Sequence, residues 1–238
     1  MMDIYKDILK IREDYFKKND LNEVKKVLEN VKIKKFPVVD NLTDEQILKI
    51  IEIIKPQEMV LKLSEKYDLK LDEDFSDFEK TMIKLIEGEE VDIDEEKLNT
   101  FDVIFRVYGI PFTAIWKVLK DKIDLSKFDG NYCPICGGAF DYAYLDENGK
   151  KFLVCDLCRF PWRYPRIKCP ICETEDQNKL YYLQFEGDYE FVRIYKCENC
   201  NESYKVLLID KIKKYPSVEI ANIETIPLEF AIENENNN

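Results

Sequence analysis

Residues 133–158 open with Cys133-Pro134-Ile135-Cys136-Gly137 and run through Phe140-Asp141-Tyr142-Ala143-Tyr144-Leu145. They then pass Asp146-Glu147-Asn148-Gly149 and Phe152-Leu153-Val154 and end on Cys155-Asp156-Leu157-Cys158. Alternating apolar residues on both sides of Asn148-Gly149 predict a β-hairpin, with that dipeptide suiting a type I′ turn. The plan then repeats. Cys169-Pro170-Ile171-Cys172 is followed by a run from Leu180 to Phe185, a Glu186-Gly187-Asp188 turn, a run from Tyr189 to Tyr195, and Cys197-Glu198-Asn199-Cys200. A further strand, Tyr204 to Ile209, comes after the last pair. Each copy is one hairpin flanked by two Cys-x-x-Cys pairs.

All eight cysteines fall in these pairs. A two-residue gap lets both sulfurs of a tight turn reach one ion, and two such turns complete a four-sulfur shell. A disulfide scaffold calls for an oxidising compartment, which a chain with no visible secretory signal does not suggest. A thioredoxin-type dithiol is a single pair opening a helix, whereas these pairs sit among hairpins. Metal ligation accounts for number, spacing and repeat together. The candidate ligands are Cys133, Cys136, Cys155 and Cys158 for one ion and Cys169, Cys172, Cys197 and Cys200 for the other. An interleaved cross-brace is the alternative pairing. Iron and zinc both suit four thiolates. Gly137 fits the left-handed position after a metal knuckle and Asn201 tolerates it, whereas Arg159 and Glu173 at the other two knuckles are less expected.

Upstream of Asp129-Gly130 the texture is helical. Asp20 can cap a helix carrying Val24, Val27, Leu28 and Val31, and Thr43-Asp44-Glu45-Gln46 is a capping box ahead of Ile47, Ile50, Ile51 and Ile54. Lys55-Pro56 breaks that helix or starts another. Phe75, Phe78, Met82, Leu85 and Ile86 form a further stripe closed by Gly88. Leu98, Phe101, Phe105 and Tyr108 form the next, ending at Gly109, and Pro111 opens a last helix with Ile115, Trp116 and Leu119. These stripes read as bundle core. The fold class is therefore α+β, with an α-helical domain over 1–129, cysteine modules over 130–167 and 168–215, and a C-terminal segment with a frayed tail over 216–238.

The 238 residues contain no histidine, which removes histidine catalysis and histidine metal ligation together. No nucleophile–base constellation or phosphate loop appears, so a non-enzyme is expected. The net charge of −12 argues against a sequence-independent nucleic-acid binder, including a zinc-ribbon nucleic-acid module. No uncharged apolar run is long enough for a membrane helix, and a cytoplasmic protein without membrane insertion is expected. The basic, aromatic stretch Arg159-Phe160-Pro161-Trp162-Arg163-Tyr164-Pro165-Arg166-Ile167-Lys168 reads as a stiff linker between the cysteine modules. Arg159, Trp162, Arg163, Arg166 and Lys168 are its candidate docking residues, because aromatics and arginine anchor interfaces. The plainer reading has Trp162 and Phe160 cementing the two modules.

Several features together resemble the formate dehydrogenase accessory protein family, FdhE: Cys133-Pro134-Ile135-Cys136-Gly137, the Cys155 pair, Trp162-x-x-x-Arg166-x-Lys168-Cys169, the Cys197 pair with Lys205 beyond it, and Val218-Glu219-Ile220-Ala221-Asn222. The resemblance covers roughly residues 130–232. It implies two rubredoxin-like or zinc-ribbon modules behind a helical region, each holding one ion, iron in the family. It also implies a cytoplasmic role in maturing the catalytic subunit of a molybdenum- or tungsten-containing formate dehydrogenase. A rubredoxin-like electron carrier or redox sensor is the alternative function.

Overall fold

In a computed structural model, the structure describes residues 2–69 and 98–228. The stripe from Phe75 to Ile86 and the tail from Glu233 lie outside the described residues. Among the described residues, five helices form the N-terminal region: α1 (Met2–Lys18), α2 (Asn22–Val27), α3 (Asp44–Ile54), α4 (Pro56–Tyr67) and α5 (Leu98–Leu119). The capping box closes as read: Thr43 accepts from the Gln46 amide while the Gln46 side chain accepts from the Thr43 amide. Lys55 takes a left-handed conformation, and Pro56 starts α4 at a position where its missing N–H costs nothing.

α5 differs from the expectation of two helices split at Gly109–Pro111. It is one helix of 22 residues with Pro111 inside. The proline removes one backbone bond at a cost of roughly 3 kcal/mol. Around it Ile110, Phe112, Ala114 and Ile115 are all essentially fully buried. Each such side chain contributes about 1.5–3 kcal/mol, so packing on every side outweighs the local break. α1, α3 and α4 all lie against this helix.

The C-terminal half forms one six-stranded sheet, in the order β3-β2-β1-β6-β5-β4. Its strands are β1 (Phe140–Leu145), β2 (Lys151–Cys155), β3 (Pro161–Tyr164), β4 (Leu180–Gln184), β5 (Val192–Cys197) and β6 (Ser203–Leu208). Both hairpins and the last strand fall where the sequence puts them. Two features do not follow from the repeat alone. Four residues of the expected linker form β3, which pairs antiparallel with β2, Trp162 opposite Leu153. The two modules also join edge to edge through a parallel β1–β6 pairing, Ala143 opposite Val206. The β1–β2 turn is not type I′, since Gly149 has positive φ and Asn148 does not. The Asp146 carboxylate accepts from the Asn148 and Lys150 amides instead, and the left-handed Gly149 is the fourth residue of a turn that its own N–H closes on the Asp146 carbonyl.

A short helix, α6 (Val218–Glu224), capped by Ser217, returns to pack on α1. The main core is continuous across both halves: Val103, Val107, Tyr108 and Ile115 of α5 share it with Cys133, Cys136, Leu157 and Trp162. A second, smaller core under β5 and β6 is closed by Ile212 and Ala221.

Candidate metal centres

The eight sulfurs gather as the within-repeat pairing requires, not as a cross-brace. Cys133, Cys136, Cys155 and Cys158 form one group and Cys169, Cys172, Cys197 and Cys200 the other, all sulfurs in each lying within 4.8 Å of one another. In the first, Sγ–Sγ separations are 3.5 Å for Cys133–Cys158 and 3.4 Å for Cys136–Cys155. In the second they are 3.9 Å for Cys169–Cys200 and 3.7 Å for Cys172–Cys197. These are far beyond the roughly 2.05 Å of a disulfide. A tetrahedron with metal–sulfur bonds of about 2.3 Å has edges of about 3.8 Å, so each group fits one ion. Two four-cysteine clusters that can hold two metal ions are therefore present.

The local backbone explains the convergence. In each repeat the first knuckle turns back on itself, with the Gly137 amide on the Cys133 carbonyl at 2.9 Å and the Glu173 amide on the Cys169 carbonyl at 3.0 Å. Amides also point at sulfur: Ile135 to Cys133, Cys158 to Cys155 and Ile171 to Cys169, each at 3.4 Å. Such donors stabilise thiolate charge. All four residues after the knuckles are left-handed: Gly137, Arg159, Glu173 and Asn201. The conformation costs an ordinary L-residue about 1–2 kcal/mol. Arg159 and Glu173 hold it while their side chains are engaged, Arg159 Nη1 on Asp141 at 2.6 Å and Glu173 on Lys168 at 2.8 Å.

The two centres sit in opposite surroundings. Every cysteine of the first is fully buried. Its knuckles are bonded to the helical region, with Val38 and Val39 amides donating to the Pro134 and Ile135 carbonyls at 2.8 and 3.0 Å. Thr113 Oγ1 and Trp116 Nε1 both donate to the Cys158 carbonyl, and Arg12 Nη2 donates to that of Leu157. Gly109 of α5 approaches so closely that a Cβ there would lie 1.9 Å from the Leu157 oxygen. Burial pushes the Cys133, Cys155 and Cys158 thiols above their ordinary range, so four thiolates here call for a cation beside them.

The second centre is held mostly by its own module, with Tyr164 of β3 donating to the Cys169 carbonyl at 3.2 Å. Cys172 and Cys200 are only half-buried. Asn199 Nδ2 donates to Cys172 Sγ at 3.5 Å and Asn199 Oδ1 accepts from Lys179. The Thr174 amide, above all, draws the Cys172 thiol down to about 6, while burial pushes Cys200 up to about 12.

The candidate docking residues divide. Arg159 is turned inward onto Asp141 and Glu219. Trp162 is buried, donating to the Gly130 carbonyl, and Phe160 packs edge-on against Trp116. Phe160 thus ties the first module to α5, while Tyr164 ties it to the second by donating to the Cys169 carbonyl. Lys168 is half-buried against Glu173, while Arg163 and Arg166 are exposed along β3 and after it.

Sequence reasoning missed a second surface. β4 forms the far edge of the sheet, and Tyr181, Tyr182 and Leu183 are each 44–46% exposed, with Ile171 and Tyr189 exposed as well. The signal was the lack of alternation in Leu180-Tyr181-Tyr182-Leu183, which puts apolar groups on both faces of an edge strand.

No family model matches the chain. Its sequence is similar to the FdhE homolog of Aquifex aeolicus, 33% identical over 97 residues, covering 39% of this chain and 34% of that protein. It is likewise similar to the FdhE homolog of Stutzerimonas stutzeri, 31% identical over 122 residues, covering 49% and 39%. Protein FdhE of Escherichia coli is 29% identical over 90 residues, covering 37% and 28%. The matches thus span about a third of the length of these relatives. In fold, the chain is similar to the crystal structure of the FdhE protein from Pseudomonas aeruginosa, with a TM-score of 0.55 and 15% identity, over 97% of this chain and 83% of that one. The resemblance to the FdhE family carried by the cysteine pairs and the residues around them is borne out.

Proposed function

We propose, from this likeness to FdhE proteins, that the chain is a cytoplasmic, non-catalytic accessory protein. It binds and helps mature the catalytic subunit of a formate dehydrogenase-type molybdenum or tungsten oxidoreductase. The eight cysteines are its metal ligands, with one ion, iron or zinc, in each centre. In this reading the first ion fixes the sheet to the helices and the second shapes an exposed module that meets the client. The observation that carries the reading is the exposed apolar edge at β4, where unpaired backbone groups and aromatic side chains coincide. Such an edge suits capture of an extended client segment by strand addition. No described helix is long and apolar enough to cross a membrane.

Co-expression with a formate dehydrogenase catalytic subunit tests it. Wild-type chain should retain the subunit on affinity capture, and Leu183→Asp together with Tyr181→Asp should lose it while keeping both ions. Retention unchanged in that double variant would overturn the β4 reading. Charge reversal at Arg163 and Arg166 measures how far the basic edge shares the task.

The half-buried sulfurs of the second centre favour one other reading, an iron centre within reach of an electron partner. That reading requires a coloured, reversibly reducible protein from iron-supplemented cells. A colourless zinc-loaded chain that still captures the subunit would leave the accessory role standing alone.

A further inference from the structure

α1, α5, β1 and α6 line a partly open cavity of about 210 Å³ that borders the first centre, since Arg159 in its wall follows Cys158. A water molecule takes up about 30 Å³ of liquid, so the space is large enough for a small polyatomic ligand. Its polar wall is Arg12, Arg106, Arg159, Asp141, Glu219 and Asn222. Three guanidiniums face two carboxylates, and both carboxylates are already engaged. Asp141 accepts from Arg159 Nη1 at 2.6 Å and lies 3.7 Å from Arg106 Nη1, and Glu219 accepts from Arg159 Nε at 3.3 Å. Arg106 has Asp102 besides.

Arg12 is the one of the three with no carboxylate in contact among the described residues. It is 7% exposed, and its Nη2 donates only to the carbonyls of Arg106 and Leu157. Its Nε is buried with no partner among the described residues, and so is Asn222 Oδ1 on the same cavity. The Asn222 amide is not reversed, because its Nδ2 faces Asp141 Oδ2 at 3.3 Å. A buried guanidinium with no carboxylate in contact and one N–H unsatisfied is costly, so a chain that keeps one beside an open cavity has room there for an anion.

We propose that this cavity binds a small oxyanion that also carries a hydrogen-bond donor, either a short hydroxycarboxylate or inorganic phosphate. The anion gives Arg12 Nε an acceptor and a direct ion pair, and its donor serves Asn222 Oδ1. Charge and hydrogen-bond sense are both specified, so a plain carboxylate of similar size is a poorer ligand. Occupancy ties α1, α5, β1 and α6 together and couples the ligand to the seam between helices and sheet.

The test is calorimetric titration of the metal-loaded full chain with glycolate, acetate and inorganic phosphate at fixed pH and ionic strength. Saturable binding of glycolate or phosphate is expected at about 0.1–1 mM, roughly tenfold tighter than acetate. The tighter of the two names the source. Arg12→Lys should weaken it at least about tenfold, since an ammonium cannot keep both carbonyls and face the anion. Ile226→Phe, which fills the cavity without replacing a charged group, should abolish it with an unchanged circular dichroism spectrum. It carries the test should Arg12→Lys fail to fold. Absence of saturable binding by either ligand, equal binding of acetate, or unchanged binding to Ile226→Phe would each overturn the proposal.

Discussion

The two cysteine centres are built from one motif, yet they do different things to the molecule. Cys-Pro-Ile-Cys, a hairpin and a second Cys-x-x-Cys produce the same sulfur geometry twice. The first copy lies inside the main core, with backbone bonds running from its knuckles to α5, to Arg12 of α1 and to Val38–Val39. The second stands at the far end of the sheet, bonded mainly to itself. The motif sets the site, and the neighbours set what losing it costs.

The largest expected difference follows directly. Cys155→Ser should collapse the molecule, helices included, because it leaves a hole where the cores of both halves meet. Structural four-sulfur sites contribute apparent binding free energies of about 10–16 kcal/mol, as much as a domain's whole stability. Cys172→Ser should release one ion and loosen β4 and β5, with far-UV helicity intact. Metal analysis and circular dichroism of the two variants read the contrast, and equal loss of helicity would break it. A helical domain separate from the cysteine modules, as the sequence divides them, would let chelation unfold the C-terminal half alone. The continuous core removes that independence.

Gly109→Ala comes next. With the Cβ position 1.9 Å from the Leu157 oxygen, α5 must move off the knuckle, at about 2–4 kcal/mol, read as a loss in Tm. No comparable helix approach exists at the second centre among the described residues, so the effect is specific to the first.

Acid should act on the same seam. Burial pushes the Asp141 carboxyl up, but Arg159 and Arg106 outweigh it and hold it below its ordinary value. A carboxyl with a depressed folded-state pKa contributes stability above its unfolded pKa, and that contribution is lost as pH falls through the folded one. Below about pH 4, Asp141→Asn should therefore flatten part of the decline in stability with pH that the wild-type chain shows. Thermal melts of the two proteins between neutral and acid pH compare them.

The smallest contrast sits at the left-handed knuckle residues. Glu173→Gly relieves strain and loses only an exposed pair, so a gain of up to about 1 kcal/mol is expected. Arg159→Gly relieves the same strain but strips Asp141 and Glu219 of their partner, and should destabilise.

Much of this was legible locally. The cysteine spacing, both hairpins, the last strand and the capping box each depend on residues close in sequence. What escaped depends on distance. β3 was hidden because Pro161 and the basic residues look like a linker, although proline is at home as the first residue of an edge strand. The β1–β6 pairing joins residues over 60 positions apart and leaves no local mark. Arg12 had a faint signal, lying four residues beyond Ile8 on the stripe of Ile4 and Ile8, where an apolar residue is the usual occupant. Which centre would be buried could not be read from two copies of one motif.

Stepwise removal of metal tests the central claim most directly. With a chelator of increasing strength, released ions are counted while far-UV circular dichroism is followed. One ion should leave first with the helical signal preserved, and departure of the second should coincide with cooperative loss of helix. Release of both ions with an unchanged helical spectrum and an unchanged thermal transition would contradict it.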